Sequence, residues 1–244
     1  MTTELDEIIP VAETWSAGQV LDWALARYGE HVAIATGFGI EGMVLLDMAA
    51  KIKPGLKVFT GDTELLFPET YELMDRVEQK YNIRIERLYS DLTPEEQELK
   101  LGPSLWARDP DLCCSIRKVE PLRRKLASLR AWVTAIRRTQ TPERAGVRKV
   151  DWDVKFSVVK ISPLADWSRQ MIWSYALSHG VPYNPLHDRN YPTIGCTHCT
   201  RAVKSGESPR AGRWPGFGKN ECGLHSSAPP VPPAIRVSAS GSED

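Results

Sequence analysis

Apolar positions in this chain alternate between short continuous runs and helical spacing from about residue 16 to residue 136. Val20, Leu21, Ala24, Leu25 and Tyr28 share one helical face behind Ser16, which predicts a capped helix from Ser16 through Tyr28. "HVAIAT" (31–36) reads as a buried strand running into Gly37 and Gly39, and "EGMVLLDMAAKIK" as a helix closed by Pro54-Gly55. The same rhythm continues with strand "LKVFT" (56–60) and helix "FPETYELMDRVEQKYN", which has Pro68 near its first turn. Strand "IRIERLY" (83–89), helix "VEPLRRKLASL" and strand "AWVTAI" (131–136) complete it.

Strand and helix in short alternation predict an α/β fold: a parallel twisted sheet with helices on both faces. Ligands in such sheets bind beyond the carboxyl ends of the strands. Those ends carry Thr36-Gly37-Phe38-Gly39, Thr60-Gly61-Asp62-Thr63 and Ile136 through Gln140. No internal repeat is present.

From about residue 180 the pattern breaks. "VPYNPLHDRNYPTIGCTHCTRAVKSGESPRAGRWPGFGKNECGLH" is rich in Pro, Gly, Cys, His and bases, which predicts an irregular, cysteine-bearing C-terminal segment held by specific contacts. "SSAPPVPPAIRVSASGSED" (226–244) has the composition of a disordered tail. Residues 1–225 are therefore expected to form one domain, with 180–225 as its C-terminal segment.

Composition narrows the function. The 31 Lys+Arg balance 31 Asp+Glu, so no global basic field points to nucleic acid or to a membrane surface. Apolar runs such as "MVLLDMAA" are far too short to span a bilayer. "MTTELDEIIP" lacks the basic start and apolar run of a secretory signal, so the expectation is a cytoplasmic protein. Reducing conditions there disfavour structural disulfides, and five cysteines leave one over from any pairing.

Two of the five are adjacent, Cys113 and Cys114 in "DLCCSIRK"; two form the C-x-x-C of "GCTHCT", Cys196 and Cys199. Spacing alone leaves several readings: metal ligands, a redox dithiol, or small buried hydrophobes. Adjacent thiolates reach one small tetrahedral ion poorly, whereas four cysteines around an iron–sulfur cluster each take a different iron. Arg117 and Lys118 then offset part of the negative charge. The fifth cysteine, Cys222 in "KNECGLH", follows Arg210, Arg213 and Lys219, and cationic surroundings favour a reactive thiolate. An incidental exposed cysteine is the bland alternative.

Several segments together resemble one family, the assimilatory adenosine 5′-phosphosulfate (APS) reductases, relatives of the 3′-phospho-APS (PAPS) reductases. They are "TGFGIEGMVLLDM", "GDTELLFPETY", "DPDLCCSIRKVEPL", "WVTAIRRTQTPER", "KISPLADWSRQMIWSYALSHGVPYNPLHDRNYPTIGCTHCTRAV", "RAGRW" and "KNECGLH", spanning about residues 32 to 225. The resemblance implies an adenine nucleotide alpha hydrolase-like fold with the C-terminal segment over the site. It implies a 4Fe-4S cluster on Cys113, Cys114, Cys196 and Cys199, with Cys222 as the nucleophile. Lys118, Arg210 and Arg213 match phosphosulfate contacts, and Arg137 and Arg138 lie in the family's phosphate-side Arg-Arg-x-Gln motif. Thr36, Gly37, Phe38, Gly39, Asp62 and Thr63 match nucleotide-binding loops. The chain departs from the usual pattern at Gly37, at Gly61 through Glu64, and at Ala135, His198 and Pro215.

The implied reaction is attack of Cys222 on the sulfur of APS, loss of AMP, and release of sulfite from a Cys222 S-sulfonate by an external dithiol. His225 is a candidate for proton transfer. The implied partners are a small-molecule nucleotide and thioredoxin or a similar protein, with no nucleic acid and no membrane; association into a homo-oligomer stays open. A PAPS reductase differs only in substrate. ATP-dependent RNA thiolation usually needs Ser-Gly-Gly-x-Asp-Ser after the first strand, and "TGFGIEG" lacks both serines. A zinc-ribbon module predicts a second C-x-x-C and a basic surface.

Overall fold

A computed structural model describes residues 2–225, so the 226–244 tail lies outside the described residues. Short strands build its sheet: the apolar runs β1 (Val32–Ala35) and β2 (Val58–Gly61), the edge strand β3 (Ile85–Leu88), three-residue β4 (Ala131–Val133), and β5 (Val150–Asp153) and β6 (Val158–Ile161). The sheet order is β3-β2-β1-β4-β6-β5, with every neighbour parallel except β5 against β6. Register aligns Ile34 with Val58 and Trp132 with Lys160.

Alternation along the strands divides the core in two. Val32, Ile34, Val58, Ala131 and Val133 pack one way, against α2 (Ala17–Tyr28), α3 (Ile40–Ile52), α4 (Pro68–Tyr81) and later α9 (Arg169–Ser178). Ala33, Phe59, Trp132 and Val158 pack the other way, against Val119, Leu122 and Leu126 around α8 (Glu120–Leu126). Leu224 of the C-terminal segment joins this second, smaller core. Helices therefore lie on both faces, with the chain's last described residues adding to the cover of one.

Sequence pattern finds α2, α3 and α4 to within a residue or two of their ends. Ser16 forms a full capping box with Gln19, and Asn82 closes α4 in the left-handed conformation. Two expectations need correction. The sheet is not wholly parallel: β5 and β6 form an antiparallel edge hairpin whose polar residues, such as Asp151, Asp153 and Lys160, hide the strand pattern. The strand expected at 131–136 ends at Val133, although Thr134 still donates to the Ile161 carbonyl at 2.8 Å. Three short helices, α5 (Pro94–Leu101), α6 (Leu105–Arg108) and α7 (Pro110–Cys114), fill the stretch between β3 and α8, and α1 (Thr2–Ala12) precedes the sheet. No helix among the described residues is long and apolar enough to cross a membrane.

Candidate active site

The adjacent cysteines end α7. Asp109 caps this helix by accepting from the Leu112 N–H at 2.8 Å, and a π-helical turn over Ser115–Val119 joins it to α8. Neighbours on a helix diverge by about 100°, so Cys113 and Cys114 do not aim at one point. The second pair is brought to them by loop pairing: Thr197 N–H donates to the Leu65 carbonyl at 2.8 Å, and Leu66 bridges Cys196. All four thiols are buried and free, and they line one small pocket with Trp106, His198 and Lys118. Trp106 and His198 stack at 4.7 Å beside it.

Burial pushes Cys113 up to about 12 and Cys199 up to about 11, with neighbouring thiols adding to both, and it pushes Cys114 upward. At Cys196 burial acts the same way, but Lys118, the Thr63 hydroxyl at 3.3 Å and Arg213 hold it below its ordinary value. Burial likewise works against charge on Lys118, yet Cys196, Cys114 and Cys222 outweigh it and raise its pKa. Among the described residues, no three His, Cys, Asp or Glu side chains group closely enough to hold a single metal ion. Four buried free cysteines around one pocket are a donor set of the kind that an iron–sulfur cluster would use.

Arg117 does not serve this pocket as a free charge. Only 1% exposed, it donates to the Thr63 carbonyl at 2.8 Å and the Leu92 carbonyl at 3.1 Å, and pairs with Glu64 at 2.7 Å. It locks the loop after β2 onto the cysteine helix.

A larger cleft of about 650 Å³ opens nearby. Its walls include Gly39 and Glu41 at the start of α3, then Arg137, Gln140 and Thr141, then Arg169 and His187, and finally Arg210, Arg213 and Asn220. Arg210 and Arg213 each keep a buried Nε without a partner. The Arg213 guanidinium lies 4.4 Å over the Trp214 ring and against Gly195, where an added Cβ would stand 2.4 Å from Nη2.

Cys222, half-buried, packs against the cluster of Cys114, Cys196, Cys199 and Trp214, on a segment fastened on both sides. Arg210 donates to the Asn220 carbonyl at 2.5 Å and Lys155 to the Gly223 carbonyl at 2.5 Å. Arg144 grips Glu221 through Nε and Nη2, both at 2.7 Å. His225 stacks on Trp132 with ring centroids 5.6 Å apart. Burial, reinforced by Lys160, Arg144, Lys155 and Arg210, lowers the His225 pKa well below its ordinary value, so its ring is neutral.

The model of the phosphoadenosine phosphosulfate reductase domain matches residues 31–202. The chain belongs to that family. An APS reductase of Halalkalibacterium halodurans is 44% identical over 222 residues, covering 91% of this chain and 96% of the relative. An APS reductase of Shouchella clausii is 47% identical over 208 residues, covering 85% and 86%. Among solved structures, the PAPS reductase of Candida auris in its phosphate complex superposes with a TM-score of 0.71 at 29% identity, over 83% of this chain and 98% of that one. The matched domain ends before Arg210, Arg213 and Cys222, whereas the alignments with the two APS reductases cover most of both chains.

Within this reductase fold the expected nucleotide loops divide. Gly39 and Arg137 line the cleft, but Arg137 is buried against Glu41 at 2.8 Å and also donates to the Trp167 carbonyl. Arg138 turns the other way, to Glu13 at 2.5 Å and the Val147 carbonyl at 2.7 Å, lining a separate pocket beside α1. Arg138 opens the turn in which the Gln140 N–H donates to the Arg137 carbonyl at 3.2 Å, and the chain's change of direction there sends the two adjacent arginines to different neighbours. Thr36 and Phe38 are buried, and the Phe38 N–H donates to Thr36 Oγ1 at 3.1 Å; exposed Gly37 sits between them, and none of the three lines the cleft. Asp62 is buried and accepts from the Tyr71 hydroxyl at 2.8 Å, and Thr63 Oγ1 lies 3.3 Å from Cys196 Sγ at the cysteine pocket. Sequence reasoning passed over Arg144, Glu221 and His187. All three lie inside the motif-bearing segments "TQTPER", "KNECGLH" and "NPLHDRNYPTIGC", which is the signal that marks them.

Proposed function

We propose that this chain reduces APS to sulfite and AMP through a Cys222 S-sulfonate, drawing two electrons from thioredoxin or a similar external dithiol. The observation that carries the reading is the position of Lys118, which lines the four-thiol pocket and has Cys196, Cys114 and Cys222 close enough to raise its pKa. One lysine thus serves both the pocket and the reactive thiol.

The substrate is a polyanion, and Arg210 and Arg213 offer unpaired guanidinium donors to its oxygens, with Lys118 adding a point charge. Cys222 attacks sulfur as its thiolate. The bond between sulfur and the bridging oxygen breaks, and AMP leaves with that oxygen. The external dithiol then attacks Cys222 Sγ, sulfite departs, and the dithiol closes to a disulfide, so hexavalent sulfur gains two electrons. His225, three residues after Cys222 in the chain, is the candidate for proton movement in this reading, with a lowered pKa that makes it a weak base.

Cys113, Cys114, Cys196 and Cys199 are the residues that hold a 4Fe-4S cluster in this reading. When bound, that cluster supplies a compact, redox-capable charge beside Lys118. The reading takes residues 1–225 as one reductase domain acting in the cytoplasm, where five free thiols are stable.

Names of the curated relatives support APS as the substrate. Arg169, a cleft residue that forms no ion pair among the described residues, favours a second reading in which the 3′-phosphate of PAPS is also accepted. Sulfite formation is measured with thioredoxin and either nucleotide. The expected result is turnover of APS with a kcat/KM at least tenfold above that for PAPS. No sulfite from either nucleotide contradicts the reading. Anaerobic purification should give a brown protein with about four irons, and a colourless zinc protein contradicts the cluster assignment.

A further inference from the structure

The contacts that hold residues 220–225 are of two kinds. Arg210 and Lys155 hold Asn220 and Gly223 by their backbone carbonyls. Glu221, the residue before Cys222, is held by its side chain in a fork. Arg144 Nε donates to Oε1 and Nη2 to Oε2, each at 2.7 Å, and the Thr141 hydroxyl donates to Oε1 at 3.1 Å. Both side chains of this ion pair are nearly buried, at 10% and 11% exposure.

Arg144 is itself oriented. Its Nη1 donates to Gln140 Oε1 at 2.5 Å, and that oxygen also accepts from the Arg137 N–H at 3.0 Å. A two-point Arg–carboxylate contact fixes direction as well as distance, which a single contact to a carbonyl does not. Removing one member of a buried pair leaves the other charge uncompensated, so the fork is the contact this segment gives up least readily.

We propose that Glu221 is the positioning residue of Cys222: its carboxylate, seated on Arg144 and Thr141, fixes where the neighbouring thiol stands against the cleft. The role given to Cys222 rests on the reductase reading; the seat itself does not. Gln140 and Thr141 belong both to the cleft wall and to the seat, so the wall that receives the nucleotide is the wall that registers the nucleophile. Misplacement by about 1 Å can cost on the order of a hundredfold in rate, which gives this seat kinetic weight beyond its stability.

The test uses the full-length, metal-loaded chain and its Glu221→Gln and Glu221→Asp variants. The first arm measures alkylation of Cys222 by iodoacetamide, read peptide by peptide, with no nucleotide present. The second measures single-turnover S-sulfonate formation from APS, and the third the affinity for AMP. Glu221→Gln should alkylate at least tenfold faster and sulfonate at least tenfold slower, with AMP affinity within about twofold of wild type; Glu221→Asp should recover part of both rates. Alkylation and sulfonation both within twofold of wild type overturn the proposal. So does a fall in AMP affinity that matches the fall in rate, because Glu221 would then act on the nucleotide. Should Glu221→Gln not fold, Thr141→Val removes a single hydrogen bond from the seat; about threefold faster alkylation is expected, and an unchanged rate overturns the proposal. A wild-type chain inert toward APS defeats the reductase reading, while the alkylation arm still decides the seat.

Discussion

The sheet with its α2–α3–α4–α9 cover and the segment from about residue 184 to 225 are built on different physics. In the first, Leu21, Ile34, Met43, Leu46, Leu73 and Val133 are essentially solvent-free and hold one another by apolar burial. In the second, buried apolar groups are few, and the chain is placed by guanidinium forks, carbonyl contacts and ring stacking, as at Glu221, Asn220 and His225. Apolar burial contributes about 1.5–3 kcal/mol per large side chain but no fixed direction. Charged forks contribute less net stability and set orientation. Stability and chemical positioning are thereby housed in different parts of the molecule, and substitutions should separate them.

The widest separation is expected at Cys222→Ser. Sulfite production should fall at least about a thousandfold, equivalent to roughly 4 kcal/mol in the barrier, with an unchanged thermal midpoint by circular dichroism. The opposite case is Leu73→Ala in the main core, which is 0% exposed. Urea unfolding should show a loss of about 2–5 kcal/mol, while kcat per folded molecule stays within twofold.

Gly195→Ala sharpens the contrast on a smaller scale. The new Cβ would sit 2.4 Å from Arg213 Nη2 and 2.7 Å from Cζ, so the guanidinium must move off its place over Trp214. Steady-state kinetics should show KM for APS rising about tenfold, the equivalent of one charged hydrogen bond, with stability changed by less than about 1 kcal/mol.

A last, smaller effect concerns a polar knot inside the apolar region. Burial pushes Asp47 up, but hydrogen bonds from Lys51, Tyr175 and Tyr81 more than reverse this, so its pKa in the folded protein lies below the ordinary 3.8. The stability it contributes is complete above that value and is lost as pH falls through the lower folded-state value. Asp47→Asn should cost about 1–3 kcal/mol at pH 7 and flatten the loss of stability below about pH 4, as read from urea midpoints across pH.

The same division explains how far the chain could be read in advance. Helices α2, α3 and α4 were legible because one stripe of each faces the core and Ser16, Pro68 and Asn82 mark their ends. The β5–β6 hairpin was not, because its edge strand carries Asp151, exposed Trp152 and Asp153. Helix α9 escaped as well, since only Ile172 and Ala176 are buried along it. In the site, the two cysteine pairs announced themselves by type and spacing. Arg137 and Arg138 looked alike in sequence, and only the backbone direction after β4 turns one to the cleft and the other to Glu13. Arg144 and Glu221 stand 77 residues apart, and an isolated opposite charge at that distance carries no periodic mark in a single sequence.

The central claim is that Cys222, and no cysteine of the buried four, takes the sulfur. Its most direct test is incubation of the metal-loaded protein with sulfur-labelled APS in the absence of any reducing protein, followed by peptide mapping. The account predicts one labelled sulfonate per chain on the peptide bearing Cys222, one AMP released for each, and sulfite set free only when thioredoxin is added. Label on Cys113, Cys114, Cys196 or Cys199, or sulfite and AMP produced by the Cys222→Ser chain, would contradict it.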